Sequence, residues 1–277
     1  MTASASSASA AVAAVDAEPL GRRLLAPIRD GLAVAGRNLI GLRRVPRLLI
    51  FSTVQPIVFV LMFRYVFGGV VGAALHGVSY VDYLMPGVFV QVATFGAVNT
   101  AIGLATDLQT GLMERFRSLP MARSAVLSGR TAADLVRNVF VVALITGVGY
   151  LVGFRVHSSL WGYLAGALLV LAFGFAMCWV FAVVGLAVGD PETALAASFP
   201  VLAPLVFASS AFVPVRTMPG WLQAFAEHQP VTVTADAVRA LMLGTPVGSQ
   251  VWSALAWDVG ILAVFAPLGV WLYRRVV

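Results

Sequence analysis

The sequence predicts an all-α polytopic membrane protein, and three observations carry that prediction. Hydrophobic residues make up 60% of the 277-residue chain and the mean hydropathy is +0.92, well above the roughly 45–50% apolar share of soluble domains. Six apolar runs of about 20 residues or more divide the chain: Leu48–Phe67, Tyr83–Thr106, Thr131–Phe154, Leu160–Val188, Ala194–Val213 and Val251–Tyr273. Charged residues are only 11% of the total. They gather between the runs, most densely in the stretch DLQTGLMERFRSLPMARSAVLSG, Asp107–Gly129, which is expected in water at one membrane face.

In chain order, residues 1–19 are Ala/Ser-rich with no basic residue ahead of the AAVAAV run, which predicts a disordered tail and not a secretory signal. The six-span domain follows over residues 20–277. From Pro27 to about Val45 an apolar stripe of Ile28, Leu32, Ala35, Leu39 and Leu42 is flanked by Arg29, Arg37, Arg43 and Arg44. That pattern predicts an interfacial helix drawn to anionic lipid. With the N-terminus inside, the inner segments carry fourteen arginines and the outer ones only Arg64, Arg155, Arg216 and Arg239. The asymmetry places both termini in the cytoplasm, and with them the charged island.

The island has helical order of its own. Leu108, Leu112, Phe116 and Leu119 fall on one stripe while Asp107, Glu114 and Arg117 point elsewhere. Asp107 is expected to cap a new helix over residues 107–119, Arg115 and Arg117 to suit its C-terminal dipole, and Pro120 to stop it. Gln109 lies off the stripe, and its replacement by alanine is expected to be nearly silent. Such a helix has to bury its apolar stripe against lipid headgroups or in a groove on a soluble partner.

The longest outer loop contains structure. Trp221–Glu227 is expected to form one short helix after Pro219-Gly220, Pro230 to break it, and Thr234–Leu243 to form a second before Gly244. The short inner loop offers Asp190 and Glu192 as caps for the fifth span. Among polar residues within runs, Asp134 and Arg137 are spaced to pair at i, i+3, Asp258 is the deepest acid on the outer side, and Gln91, Thr94 and Asn99 read first as interhelical hydrogen-bonding groups. Gly149/Gly153, Gly162/Gly166 and Gly185/Gly189 have small-xxx-small spacing and are expected at close helix contacts.

Several functions are excluded or disfavoured. All 18 basic residues are arginine, so the lysine and the GxxxxGK[ST] pattern of a P-loop are both missing and any driving ATP must bind another polypeptide. The arginines flank apolar spans and form no single patch, which argues against nucleic acid as a partner. The single cysteine, Cys178, excludes an intrachain disulfide and a cysteine metal site. Secondary transport driven by protons would call for acids near the midplane, and no chain of acids is there. No catalytic triad, HExxH pattern or three-histidine spacing stands out, so neither catalysis nor a resident metal or cofactor is expected.

The runs ERFRSLPMARSAVLSGR and SSAFVPVRTMPGWLQAFAEHQPVTVTADAVRALMLG resemble the type-2 ABC exporter permeases, in particular the daunorubicin-resistance (DrrB-like) branch, and the likeness extends over roughly Leu20–Arg275. The family often has Asn-Pro where this chain has Gln229-Pro230. The resemblance implies ABC ATPase subunits as partners, with ATP bound there and no cofactor in this chain, and a second permease chain, identical or related. It implies a plasma-membrane exporter of a hydrophobic drug or a lipid, with polymer export or a non-transporting membrane assembly protein as alternatives. It places the coupling contact at Leu108, Leu112, Glu114, Arg115, Phe116 and Leu119. It also makes residues 214–244 a re-entrant outer gate with Trp221, Phe225, Pro230 and Arg239. Gln91, Phe95 and Asn99 are candidates for the substrate path.

Overall fold

Charge-poor helices and short punctuated turns account for all the secondary structure that the computed structural model describes, which covers residues 46–72, 79–111 and 123–276. The expected tail, the interfacial stripe of residues 28–42 and residues 112–119 of the island lie outside the described residues. The elements are α1 (Pro46–Met62), a π-helical turn (Phe63–Phe67), α2 (Gly68–Gly72), α3 (Tyr80–Gln109), α4 (Arg123–Val152), α5 (Leu160–Val188), α6 (Pro191–Phe207), a 3-10 turn (Val215–Thr217), α7 (Gly220–His228), α8 (Pro230–Leu243) and α9 (Gln250–Val276). Among the described residues no strand occurs. Tyr80–Gln109, Asp134–Val152 within α4, Leu160–Val188 and Gln250–Val276 are long and apolar enough to cross a membrane. Shorter apolar helices, Val54–Phe67 and Pro191–Phe207, stand at the places of the expected first and fifth spans.

The core is built on α3. Every residue from Tyr80 to Thr94 is buried, so this helix is apolar all round and has the pattern of a central element, not an amphipathic one. Its largest contact is with α5, and small residues permit it: a Cβ on Gly185 would overlap the Ala101 carbonyl, and one on Gly174 would lie 3.1 Å from the Ala93 Cβ. Backbones can then approach closely without losing dispersion contacts. Gly149, Gly162 and Gly166 also face neighbouring atoms at short range. The other members of the predicted pairs serve differently, since Gly153 (φ 105°) and Gly189 (φ 72°) adopt left-sided conformations in turns.

Helix ends follow local chemistry. Asp190 caps α6 through its carboxylate, which accepts from the Thr193 N–H at 2.8 Å, and Pro191 occupies the first turn. α6 ends at Phe207, short of the expected Val213, because another element takes its last carbonyls. Gln229 Nε2 donates to Leu205 O (2.9 Å) and Ala208 O (3.1 Å), while Thr232 Oγ1 accepts from Ser210 N at 3.1 Å. Both helices expected after Pro219 form, the first over the expected stretch and the second from Pro230, four residues ahead of the expected Thr234, with Gly244 closing α8 in the left-handed region. Pro230 both breaks the first and begins the second, at a position where its missing N–H costs nothing.

α9 presents Trp252, Trp257, Val259, Val264 and Trp271 outward and buries Ala254, Asp258 and Ile261. Nineteen residues separate Trp252 from Trp271, about 28 Å along a helix and close to the roughly 30 Å hydrocarbon thickness of a bilayer. The Arg275 guanidinium lies 4.1 Å from the Trp271 ring centroid at the basic end. Tryptophan and arginine at helix ends are the pattern enriched where membrane spans meet water.

Candidate functional site

α3 projects Gln91, Phe95 and Asn99 at i, i+4 and i+8, one stripe of a helix, and that stripe forms a wall of a cavity of about 340 Å³. Val141, Arg137 and Asn138 of α4, Gln55 and Pro56 of α1, and Leu195, Ser198, Phe199 and Leu202 of α6 complete the lining. All three residues singled out for the substrate path therefore meet in one place. Thr94, by contrast, turns its hydroxyl back to Val90 O at 2.8 Å and stands outside the lining.

The cavity has one arginine and that arginine is compensated. Arg137 Nη2 donates to Gly96 O at 2.6 Å and Nη1 lies 3.4 Å from Asp134 Oδ1, the expected i, i+3 pair. Asp134 Oδ2 also accepts from the Thr100 hydroxyl at 2.5 Å. Gly96 is needed here, since a Cβ would come within 2.7 Å of Asn138 Oδ1. Gln91 and Asn138 are 3% and 2% exposed, and Gln91 Oε1 and Asn138 Nδ2 have no hydrogen-bond partner among the described residues. A cavity of this size, mostly apolar with a few amide groups and no uncompensated charge, suits an amphiphilic organic molecule. Sequence reasoning named Gln91, Phe95 and Asn99 but missed Gln55, Asn138 and Ser198 as their neighbours, because a helical sequence does not show what one of its faces meets.

The residues expected at the gate divide into two groups. Pro230 is buried, and Arg239 is nearly so, with a side chain 12% exposed. Arg239 Nε donates to Tyr83 O at 3.1 Å and Nη2 to Ser210 O at 2.9 Å, and its Nη1 pairs with Asp236. The guanidinium carbon lies 3.8 Å from the Tyr83 ring centroid, and Tyr83 Oη in turn donates to Ser210 O at 3.0 Å. Arg239 thus joins α8, α3 and the turn after α6. Trp221 and Phe225 on α7 are 77% and 46% exposed, and α7 touches little beyond α8 and the 3-10 turn.

At its C-terminal end, α3 continues through Asp107 and Leu108 to Gln109, with Thr110 as its C-cap. Asp107 therefore stands in the last turn of α3, and its expected role as the cap of a new helix is corrected: the apolar period of the span runs on through this residue. Leu108 packs against the cluster of Leu104, Trp179, Leu186 and Tyr273. Leu112, Glu114, Arg115, Phe116 and Leu119 lie outside the described residues. Gln109 is not isolated, for its Nε2 donates to Asp190 Oδ1 at 2.7 Å. The Thr193 hydroxyl and N–H, with Gln109 adding a further donor, hold the Asp190 carboxyl below its ordinary value. This contribution is present above the ordinary carboxylate pKa and is lost only as pH falls through the depressed one.

A bundle with four helices long and apolar enough to cross a membrane and an internal, mostly apolar cavity is that of an integral membrane protein. The profile of the ABC-2 type transporter family matches residues 31–243, and the chain belongs to that family. Over 239 residues it is 37% identical to the daunorubicin resistance ABC transporter permease protein DrrB1 of Streptomyces coeruleorubidus, covering 86% of this chain and 84% of that protein. It is 30% identical over 228 residues to the probable doxorubicin resistance ABC transporter permease protein DrrC of Mycobacterium tuberculosis, covering 82% of each. The inner membrane transport permease YadH of Escherichia coli is 24% identical over 208 residues, which is 73% of this chain and 80% of YadH.

Proposed function

We propose that this chain is the permease subunit of an ATP-driven exporter that moves a hydrophobic drug or a lipid outward across the plasma membrane. The observation that carries this reading is the charge-compensated, amide-bearing cavity between α1, α3, α4 and α6, in a chain whose relatives are named as drug-resistance permeases. Six spans cross the bilayer, with both termini cytoplasmic, as the arginine distribution requires. The lack of lysine assigns ATP hydrolysis to partner ABC ATPase subunits. A second permease chain, the same or related, completes the pathway, since a single six-span bundle encloses little room for a large amphiphile. Trp221 and Phe225 on the thinly packed α7 form the mobile part of the outer gate, and Pro230 and Arg239 its fixed part.

In this reading the stripe of Leu112, Phe116 and Leu119 docks on the ATPase, with Glu114 and Arg115 at its edge, while Leu108 stays with α3 and its own cluster. Phe116→Asp introduces an unpaired charge into a desolvated contact, a change that commonly costs a few kcal/mol. Membrane insertion should survive, while co-purification of the ATPase and daunorubicin export should be lost together. Retention of both in the Phe116→Asp variant would refute docking through this stripe.

A further inference from the structure

The C-terminal end of α3 and the N-terminal end of α6 are joined by a polar contact whose two sides belong to different parts of the machine. On one side is Gln109, the last residue of α3, from which the chain continues into the rest of the charged island. On the other is Asp190, the N-cap of α6. Its Oδ1 accepts from Gln109 Nε2 at 2.7 Å, and its Oδ2 accepts from both the N–H (2.8 Å) and the hydroxyl (2.7 Å) of Thr193. One carboxylate therefore bonds both helices at once. It is held firmly, because α5 and α6 are joined only by Gly189 and Asp190, and Gly189 closes α5 in the left-handed region with its N–H on Gly185 O at 3.0 Å. The same two helices supply facing walls of the cavity, Gln91, Phe95 and Asn99 from α3 and Leu195, Ser198, Phe199 and Leu202 from α6. Leu195 lies two residues beyond Thr193.

We propose that the Gln109–Asp190 hydrogen bond is the tie through which displacement of the charged island is passed to α6, making Gln109 a positioning residue for transport. The proposal rests on the permease reading and adds to it the route by which the cytoplasmic segment reaches the cavity wall. Neither Gln109 nor Asp190 lines the cavity, so the tie acts on the linked movement of the helices and not on contacts with cargo. Without it, α3 and α6 keep their shared packing in the middle of the bundle, but the first turn of α6 no longer follows the end of α3. A hydrogen bond to a carboxylate at an exposed position is modest in strength. Its loss corresponds to a roughly three- to tenfold effect on the step it controls.

The test compares wild type, Gln109→Leu and Gln109→Arg, each co-expressed with its ATPase and reconstituted in lipid nanodiscs. Leucine keeps the bulk and removes the donor; arginine restores a donor to Asp190. Hydrogen exchange across residues 191–199, measured with and without a non-hydrolysable ATP analogue, reads the tie independently of cargo. In wild type and Gln109→Arg the analogue should change exchange in this segment, and in Gln109→Leu that response should be lost. With daunorubicin as probe, Gln109→Leu should lower the maximal drug-stimulated hydrolysis by about three- to tenfold, leave the half-saturating drug concentration unchanged, and still bind the ATPase. Gln109→Arg should recover the rate. A wild-type exchange response in Gln109→Leu, or an equal loss in Gln109→Arg, would overturn the tie. Absence of daunorubicin stimulation in wild type, with the exchange pattern as expected, would overturn the choice of cargo and leave the tie standing.

Discussion

Replacing Arg239 by alanine withdraws donors from Tyr83 O, Ser210 O and Asp236 together and uncovers the face of the Tyr83 ring. Hydrogen bonds to a charged partner are worth more than neutral ones, so Arg239→Ala should destabilise the purified protein by about 2 kcal/mol. Arg239→Lys keeps the charge but not the planar fork and should recover less than half of that loss. Thermal unfolding in detergent measures both, and equal stability of the three proteins would mean that the clamp carries no load. Nothing in the sequence around Arg239 announces its partners, which lie 29 and 156 positions away. The same holds for Gln109: helical periodicity put it off the apolar stripe and made it seem inert, and its partner Asp190 is 81 positions distant. Asp190 itself was legible as a cap because Asp-Pro before an apolar run is a local signal.

At the scale of elements, the meeting of α3 with α5 depends on residues that are small enough not to intervene. Gly185→Val places a branched side chain where even a Cβ would overlap the Ala101 carbonyl, and overpacking of this kind typically costs 1–3 kcal/mol or more. The variant should fall sharply in yield of folded, monodisperse protein on size-exclusion chromatography, whereas Gly147→Val, where an added Cβ meets no described atom within 4 Å beyond its own helix backbone, should not. A reversal of that order would remove the close packing from the account. Helices α7 and α8 were readable because Pro219-Gly220, Pro230 and Gly244 punctuate them locally. The end of α6 was not, since Gln229 and Thr232 on the next elements draw its final carbonyls and the following turn out of helical pairing. The boundary of α3 was misplaced for a related reason. An aspartate after an apolar run reads equally as a helix start or as a polar last turn, and only the backbone pairing of Thr110 N with Thr106 O decides it.

At the scale of the whole molecule, composition and hydropathy revealed the class of fold, because a lipid environment demands long apolar helices whose backbone groups are satisfied internally. The cavity was half legible. Gln91, Phe95 and Asn99 could be named, but the walls from α1, α4 and α6 come together only in three dimensions. The central claim is that this chain translocates an amphiphilic drug when, and only when, an ATPase is bound to it. Daunorubicin accumulation in inside-out proteoliposomes, followed with the chain alone, its ATPase alone, and both together with ATP, tests that claim most directly. The account predicts uptake only from the combination with ATP, and its reduction when Gln91→Leu and Asn99→Leu replace two amides of the cavity wall. ATP-driven uptake by this chain alone, or an ATPase-bound permease that hydrolyses ATP yet moves neither daunorubicin nor a labelled lipid, would contradict it.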